Sequence, residues 1–306
     1  MKDISELTTL QKVGLVELVF AMLLMGTVGY FVIESGESAH NVVFFRCVIG
    51  VVFLVAYCII KGYFQNTGLT VINFILLLLS GVFLVCNWIM LFASFKYASI
   101  STSTAVYHVQ PFFFVLIAAV ALKETLRIDK IAWMIPAFLG VTLVANVGWE
   151  SFSFSLEYIR GLFLAVSAAL FWAISAVLVK LLKGVRPHLI TLMQLGVGAI
   201  VLLPFSSFDN ITSITNIQWL YLLILGAVHT CLVYILMYSS YQKLQTPTIA
   251  VLTFIYPAVA IVVDFIFYDT SLSVLQMIGV GLIMFSGYAV NQNIPLIRRS
   301  IKLTGK

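Results

Sequence analysis

Residues 91–121 read LFASFKYASISTSTAVYHVQPFFFVLIAAVA, and the division of that stretch decides the fold. Joined to the apolar residues from 70 onward, it would form one helix far longer than the roughly 20 residues that cross a bilayer. Lys96 and the polar cluster Ser99–Thr104 interrupt it, so we place a turn at Tyr97–Ile100 and count two helices. Working outward, the chain offers ten apolar segments, near 13–33, 41–60, 70–95, 101–121, 130–149, 158–181, 188–206, 218–241, 247–268 and 272–291. The short loops between them carry the Gly, Pro, Asn and charge signals of helix ends. The expected fold is an all-α integral membrane protein with ten transmembrane helices.

Composition agrees. Of 306 residues, 62% are hydrophobic and 9% charged, against about 25% charged in a soluble domain; mean hydropathy is +1.10. The net charge of +5 is scattered in short clusters rather than gathered in one patch, which speaks against nucleic-acid binding. Cys47, Cys58, Cys86 and Cys231 lie inside apolar runs without a CxxC pair or zinc spacing. They read as small buried hydrophobes, with no metal site and no cofactor expected. The first apolar run has the length of a bilayer span, and Glu34-Ser35-Gly36-Glu37 follows it in place of a small-residue cleavage box, so a cleaved signal peptide is not expected.

Orientation follows from Lys and Arg. With the N-terminus in the cytoplasm, ten spans place fourteen basic residues inside, among them Lys2, Lys12, Lys61, Lys123, Arg127, Lys183, Arg186, Lys243, Arg298 and Lys306, and only Lys96 and Arg160 outside. Both termini are therefore expected in the cytoplasm. A displacement of 146 residues lays Ser94-Phe95 on Ser240-Tyr241, Pro111 on Pro257 and Leu126 on Leu272. Five spans precede Arg160 and five follow it. An odd number of spans per half makes residues 1–150 and 151–306 inverted repeats, an arrangement frequent in secondary transporters.

With these landmarks in place, the chain resembles the drug/metabolite transporter superfamily of the EamA-domain type. The resemblance rests on Phe44-Phe45-Arg46 in the second span, Gln110-Pro111 in the fourth, the acidic turn Leu122-Lys123-Glu124-Thr125-Leu126, and Gly140 and Gly287 in the last helix of each half. The second half departs from it with Asp269-Thr270-Ser271-Leu272 at the corresponding turn and Gln194 near the counterpart of the arginine.

Charged residues inside a span are costly and draw functional interest; here they are Glu17, Arg46 and Asp264. Snorkelling to the interface is the competing explanation for each, and an Arg46–Asp264 pair is one further arrangement. His108 and His229 lie more centrally, and either could donate, accept or titrate, or simply pack between helices. Helical spacing sorts other polar residues into stripes: Ser80, Asn87 and Ser94; Ser101, Thr104, His108 and Pro111; Ala168, Trp172, Ser175 and Val179; Thr230, Tyr234, Tyr238 and Tyr241; Thr253, Tyr256, Ala260 and Asp264. Such stripes face a bundle interior or a water-filled path, although hydrogen bonding between helices produces them too. Tyr238, Tyr241 and Trp219 could instead be interface aromatics.

The expected function is secondary transport of a small polar metabolite across the bilayer by alternating access. Asn87, Trp88, Tyr107, His108, Trp172, Ser175, Tyr234 and Tyr256 would bind the solute, Pro111 and Pro257 would act as hinges, and a proton at His108 is a candidate coupling ion. The resemblance implies export of an amino acid or related compound from a bacterial inner membrane. Import of an organic cation or a vitamin-like solute is the alternative. An intramembrane enzyme would need a motif such as HExxH, GxSxG or a Walker A segment, and the sequence has none. A channel would need charge rings or a carbonyl filter, and neither is visible.

Overall fold

A computed structural model describes residues 9–65, 67–98, 100–124, 128–145, 155–208, 211–268 and 273–296. Thr125, Leu126, Arg127, the turn at 269–272, and Lys2, Arg298, Arg299, Lys302 and Lys306 lie outside the described residues. The described chain is helical, in the order α1 (Thr9–Gly26), α2 (Val28–Glu34), α3 (Ala39–Ile60), α4 (Val71–Phe95), α5 (Ile100–Tyr107), α6 (Gln110–Ala121), α7 (Ile128–Ala132), α8 (Met134–Val144), α9 (Leu156–Leu181), α10 (Pro187–Leu202), α11 (Asn216–Ile224), a π-helix (Leu225–Leu232), α12 (Val233–Tyr241), α13 (Thr246–Thr253), α14 (Ile255–Phe267) and α15 (Val274–Asn291). Taking the broken pieces end to end, nine stretches among the described residues are long and apolar enough to cross a membrane. Lys130–Val144 is a shorter apolar helix, in place of the span expected over 130–149.

The ends are set by local chemistry. Ser38, Thr70 and Ser155 each accept a hydrogen bond from a backbone N–H of the first turn that follows, satisfying one of the donors a helix start leaves open. Thr215 with Gln218, and Ser273 with Gln276, form reciprocal capping boxes. Pro187 and Pro247 occupy the first turns of α10 and α13, where a missing N–H costs nothing. The turn expected at Tyr97–Ile100 is present: α4 ends at Phe95 and α5 begins at Ile100.

Contacts between helix ends sort them into two groups. At one end of the bundle, Arg186 Nη1 donates to the Tyr63 carbonyl, Trp133 Nε1 to the Ile294 carbonyl and Lys130 Nζ to Thr248 Oγ1, and Lys243 pairs with Glu17. At the other, Tyr268 Oη donates to Glu34, Asn41 exchanges hydrogen bonds with Ser207, Gln276 Nε2 donates to the Val144 carbonyl, and the Arg160 guanidinium lies over the Tyr97 ring. We refer to these as the basic end and the Glu34 end. Outward-facing positions such as Val16, Val120 and Ile200 are large, apolar and 67–82% exposed, as a lipid-facing surface requires.

Candidate functional site

A cavity of about 310 Å³ lies within the bundle, from mid-helix toward the Glu34 end. Its wall takes Met22, Met25 and Gly26 from α1, Gly29 from α2, Arg46 from α3, Trp88 and Leu91 from α4, Tyr107 from α5, Gln110 from α6, Trp172 from α9, Tyr234 and Met237 from α12, Thr253 from α13, and Tyr256 and Ala260 from α14. The volume is at the small end of the roughly 300–1,000 Å³ usual for small-molecule sites.

Five of the eight residues expected to bind solute are on this wall: Trp88, Tyr107, Trp172, Tyr234 and Tyr256. Asn87, His108 and Ser175 are not; they are buried behind it. Asn87 Nδ2 donates to Tyr107 Oη at 3.1 Å and to the Ala168 carbonyl at 2.9 Å, so it positions a wall tyrosine. His108 Nδ1 donates to the Thr104 carbonyl at 2.6 Å, and its ring lies 5.2 Å from that of Tyr256. Ser175 donates to the Ser80 carbonyl, and Gln194 bridges Ser80 to Tyr238. The stripe Ser80, Asn87, Ser94 is fully buried; it packs α4 on α9, the bland explanation of helix–helix bonding. Tyr238 and Tyr241 are likewise buried core residues, not interface aromatics.

The intramembrane charges part company. Glu17 pairs with Lys243 at 2.5 Å, outside the cavity. Asp264 is exposed, one turn beyond Ala260 on the face that carries Thr253, Tyr256 and Ala260. Arg46 alone is on the wall, and its Nε donates to Thr230 Oγ1 at 2.8 Å rather than to Asp264. The π-helix explains that partner. The Thr230 hydroxyl donates to the carbonyl of Leu225, five residues back, at 2.8 Å, and its oxygen accepts from Arg46. Next to it, His229 Nε2 is 2.8 Å from Thr27 Oγ1, which itself donates to the Leu24 carbonyl and so accepts from the imidazole.

Both mid-membrane prolines sit just past a break. α5 stops at Tyr107 and α6 starts at Gln110; α13 stops at Thr253 and α14 starts at Ile255. A helical proline removes the donor to the carbonyl four residues before it. For Pro111 that carbonyl belongs to Tyr107, and for Pro257 to Thr253; both residues are on the wall.

The displacement of 146 residues acquires a structural meaning here. It carries Gly26 onto Trp172, Trp88 onto Tyr234, Leu91 onto Met237, Tyr107 onto Thr253, and Gln110 onto Tyr256, and every one of these ten residues lines the cavity. Arg46 falls outside the pattern, as do Met22, Met25, Gly29 and Ala260: the displacement carries Arg46 onto Leu192, which is not on the wall.

Toward the basic end a single aromatic layer closes the cavity. The ring of Trp172, on the wall, is 5.8 Å from that of Phe114, which is 5.7 Å from that of Tyr241. Tyr241 belongs to a second chamber, a vestibule of about 800 Å³ that also carries Lys123, Glu124, Lys180, Lys183 and Lys243. Two polar clusters brace this end. Lys180 Nζ donates to Glu124 and to Thr246, each at 2.6 Å, while the Thr246 N–H donates to the same carboxylate. Lys243 Nζ bridges Glu17 and Ser239. Burial alone would raise the Glu124 carboxyl, but the hydrogen bonds from Lys180 and Thr246 outweigh it and hold the group below its ordinary value of 4.5.

Sequence reasoning missed Met22, Met25, Leu91 and Met237 because apolar side chains in a membrane span carry no signal of their own. Gln110 was noticed only as the neighbour of a proline. The displacement by 146, applied backward from Trp172 and Tyr256, would have found Gly26 and Gln110.

Residues 11–146 and 159–292 each match the EamA-like transporter family. The chain is 30% identical over 289 residues to the uncharacterized transporter YxxF of Bacillus subtilis (strain 168), covering 94% of this chain and 91% of that one. It is 25% identical over 276 residues to an uncharacterized transporter of Archaeoglobus fulgidus, covering 89% and 93%. A solved crystal structure superimposes with a TM-score of 0.80 at 18% identity, over 95% of this chain and 99% of the other, which establishes the shared fold. The matches on either side of residue 150, the apolar helices and the named relatives identify an integral membrane protein and a transporter rather than an enzyme: the chain belongs to the EamA-like transporter family.

Proposed function

We propose that the protein is a secondary transporter that exports a small polar organic solute by alternating access, with the cavity as its binding site. The observation that carries this reading is the doubled wall: ten of its residues pair across a 146-residue displacement. A site built by equivalent positions of two halves lies at the interface between those halves, where rocking of one against the other exposes it to each side in turn. The reading takes residues 1–150 and 151–306 as inverted five-span repeats, with Lys130–Val144 completing the fifth span. The sorting of helix ends into a basic end and a Glu34 end supports ten crossings. The basic end is then cytoplasmic, as the excess of Lys and Arg favours, and the membrane is a bacterial inner membrane. Pro111 and Pro257 are the hinges.

On this reading the state described is open toward the Glu34 end and closed by Phe114 and the two ion pairs at the basic end. Import of an organic cation fits the cavity less well, because the one charged wall residue among the described residues is the cation Arg46. The test is counterflow in proteoliposomes. Preloaded unlabelled solute should accelerate uptake of the same labelled solute, the signature of a carrier. Flux that saturates at no concentration and ignores the preload would overturn the reading in favour of a channel.

A further inference from the structure

Resting on that reading, we infer that the transported solute is a monocarboxylate with a flat, apolar body, and that Arg46 anchors its carboxylate. Three observations point to this chemistry. The first is charge. Among the described residues, Arg46 brings the only ionisable cation to the wall, and no carboxylate on the wall neutralises it. Its described hydrogen bond uses Nε alone, toward the neutral hydroxyl of Thr230. That bond fixes the plane of the guanidinium and leaves the two terminal nitrogens as a fork. A planar fork matches the two oxygens of a carboxylate. A cation in a membrane protein is normally compensated, and here the solute supplies the missing anion.

The second observation is the rest of the wall. Trp88, Tyr107, Trp172, Tyr234 and Tyr256 surround a volume of about 310 Å³. Aromatic faces at this density favour a flat body by offset stacking and edge contacts. With one cation present, a second carboxylate or a phosphate would have no partner and would have to be desolvated uncompensated. The third is the approach. At the vestibule of the basic end, Lys180 is paired with Glu124 and Lys243 with Glu17, and Lys123 and Lys183 add a net positive charge. A mouth of that sign concentrates anions and repels cations before they reach the site. Arg46 also has no cationic counterpart, since the displacement carries it onto Leu192, as expected of a residue that recognises one end of an unsymmetrical solute.

The experiment uses the full-length protein, purified in detergent, with binding read from the fluorescence of Trp88 and Trp172 and checked by calorimetry. The probes are 3-phenylpropionate, its uncharged amide and phenethylamine, which differ in charge and little in shape. The acid should bind at least tenfold more tightly than the amide, and the amine more weakly than either. Arg46→Gln should remove the preference for the acid while leaving amide affinity within about twofold. Arg46→Lys, which keeps the charge but not the fork, should fall between; melting temperatures of both variants guard against misfolding. Equal affinity for acid and amide in the native protein, absence of binding by all three, or an acid preference that survives in Arg46→Gln overturns the inference. Counterflow separates this from failure of the carrier reading. Exchange of the amide or amine but not the acid overturns the carboxylate assignment and leaves a carrier, whereas the preload-independent flux named above removes the carrier as well.

Discussion

Gly140 of α8 and Gly279 of α15 face each other so closely that a Cβ on either would lie 2.6 Å from the carbonyl oxygen of the other. Gly287, which the sequence singles out as the partner landmark of Gly140, has only an ordinary contact with Leu252 at 3.6 Å. The close approach therefore belongs to Gly140 and Gly279, as small residues in membranes allow. Gly140→Val and Gly279→Val should each lower stability by about 1–3 kcal/mol through overpacking, whereas Gly287→Ala should be near neutral. Thermal unfolding in detergent checks this; equal destabilisation at all three sites would be the wrong result.

The Glu124–Lys180 pair should make closure of the basic end sensitive to acid. A carboxylate whose value is lowered in the closed form supports that form in full above its ordinary value of 4.5, and the support is lost as pH falls through the lowered value. The distance between spin labels at Lys123 and Gln242, across the vestibule, should therefore stay narrow at neutral pH and broaden in acid. In Glu124→Gln it should be broad throughout. A distribution that is narrow in the variant at pH 7 would show that closure rests on Phe114 and Glu17–Lys243 alone.

Wall residues and those behind the wall should separate by phenotype. Trp88→Ala should weaken solute binding at least tenfold. His108→Leu loses the bond to the Thr104 carbonyl and should cost about 1 kcal/mol of stability, with affinity changing less than threefold. Isothermal titration paired with melting curves distinguishes the two; an affinity loss in His108→Leu equal to that in Trp88→Ala would move the histidine back to the wall.

Pro111→Ala and Pro257→Ala should leave stable protein in the membrane and slow exchange by roughly tenfold. Each restores a helical donor to a wall residue's carbonyl. Counterflow rates at saturating solute provide the measurement, and native rates in both variants would exclude a hinge role.

Topology is checked by paired labelling. In a variant without Cys47, Cys58, Cys86 and Cys231, cysteines at Lys183 and Ser273 should react with an impermeant reagent from opposite sides of the membrane. Labelling of both from one side would remove the ten-crossing reading.

Most of the helix plan was legible because a bilayer imposes one length and one polarity on every span. The capping residues Ser38, Thr70, Ser155, Thr215 and Ser273 mark starts by chemistry that a sequence displays. The breaks within spans were less visible. Pro111 and Pro257 announce two of them, but Thr27 between α1 and α2, and the π-helix at Leu225–Leu232, have no compositional signature. The site was half legible. Trp172, Tyr234 and Tyr256 on three of the polar stripes reached the cavity, yet Ser175 shares the stripe of Trp172 and, like Asn87 and His108 on two others, turns toward neighbouring helices, a choice made by helix rotation that periodicity alone does not fix. The bond from Arg46 to Thr230 joins residues 184 positions apart and follows from the surplus residue of the π-helix.

The paired wall carries one more consequence. On the inverted-repeat reading, equivalent positions flank the cavity from both halves, and where the paired side chains are alike, as in Trp88 and Tyr234 or Leu91 and Met237, a solute could meet similar contacts head-first or tail-first. A carrier with that degeneracy would hold its cargo in two poses, and each turnover would begin from a mixture. On that same reading Leu192, where the displacement places the counterpart of Arg46, would remove the ambiguity: with one guanidinium instead of two, the cargo would enter the cycle facing one way.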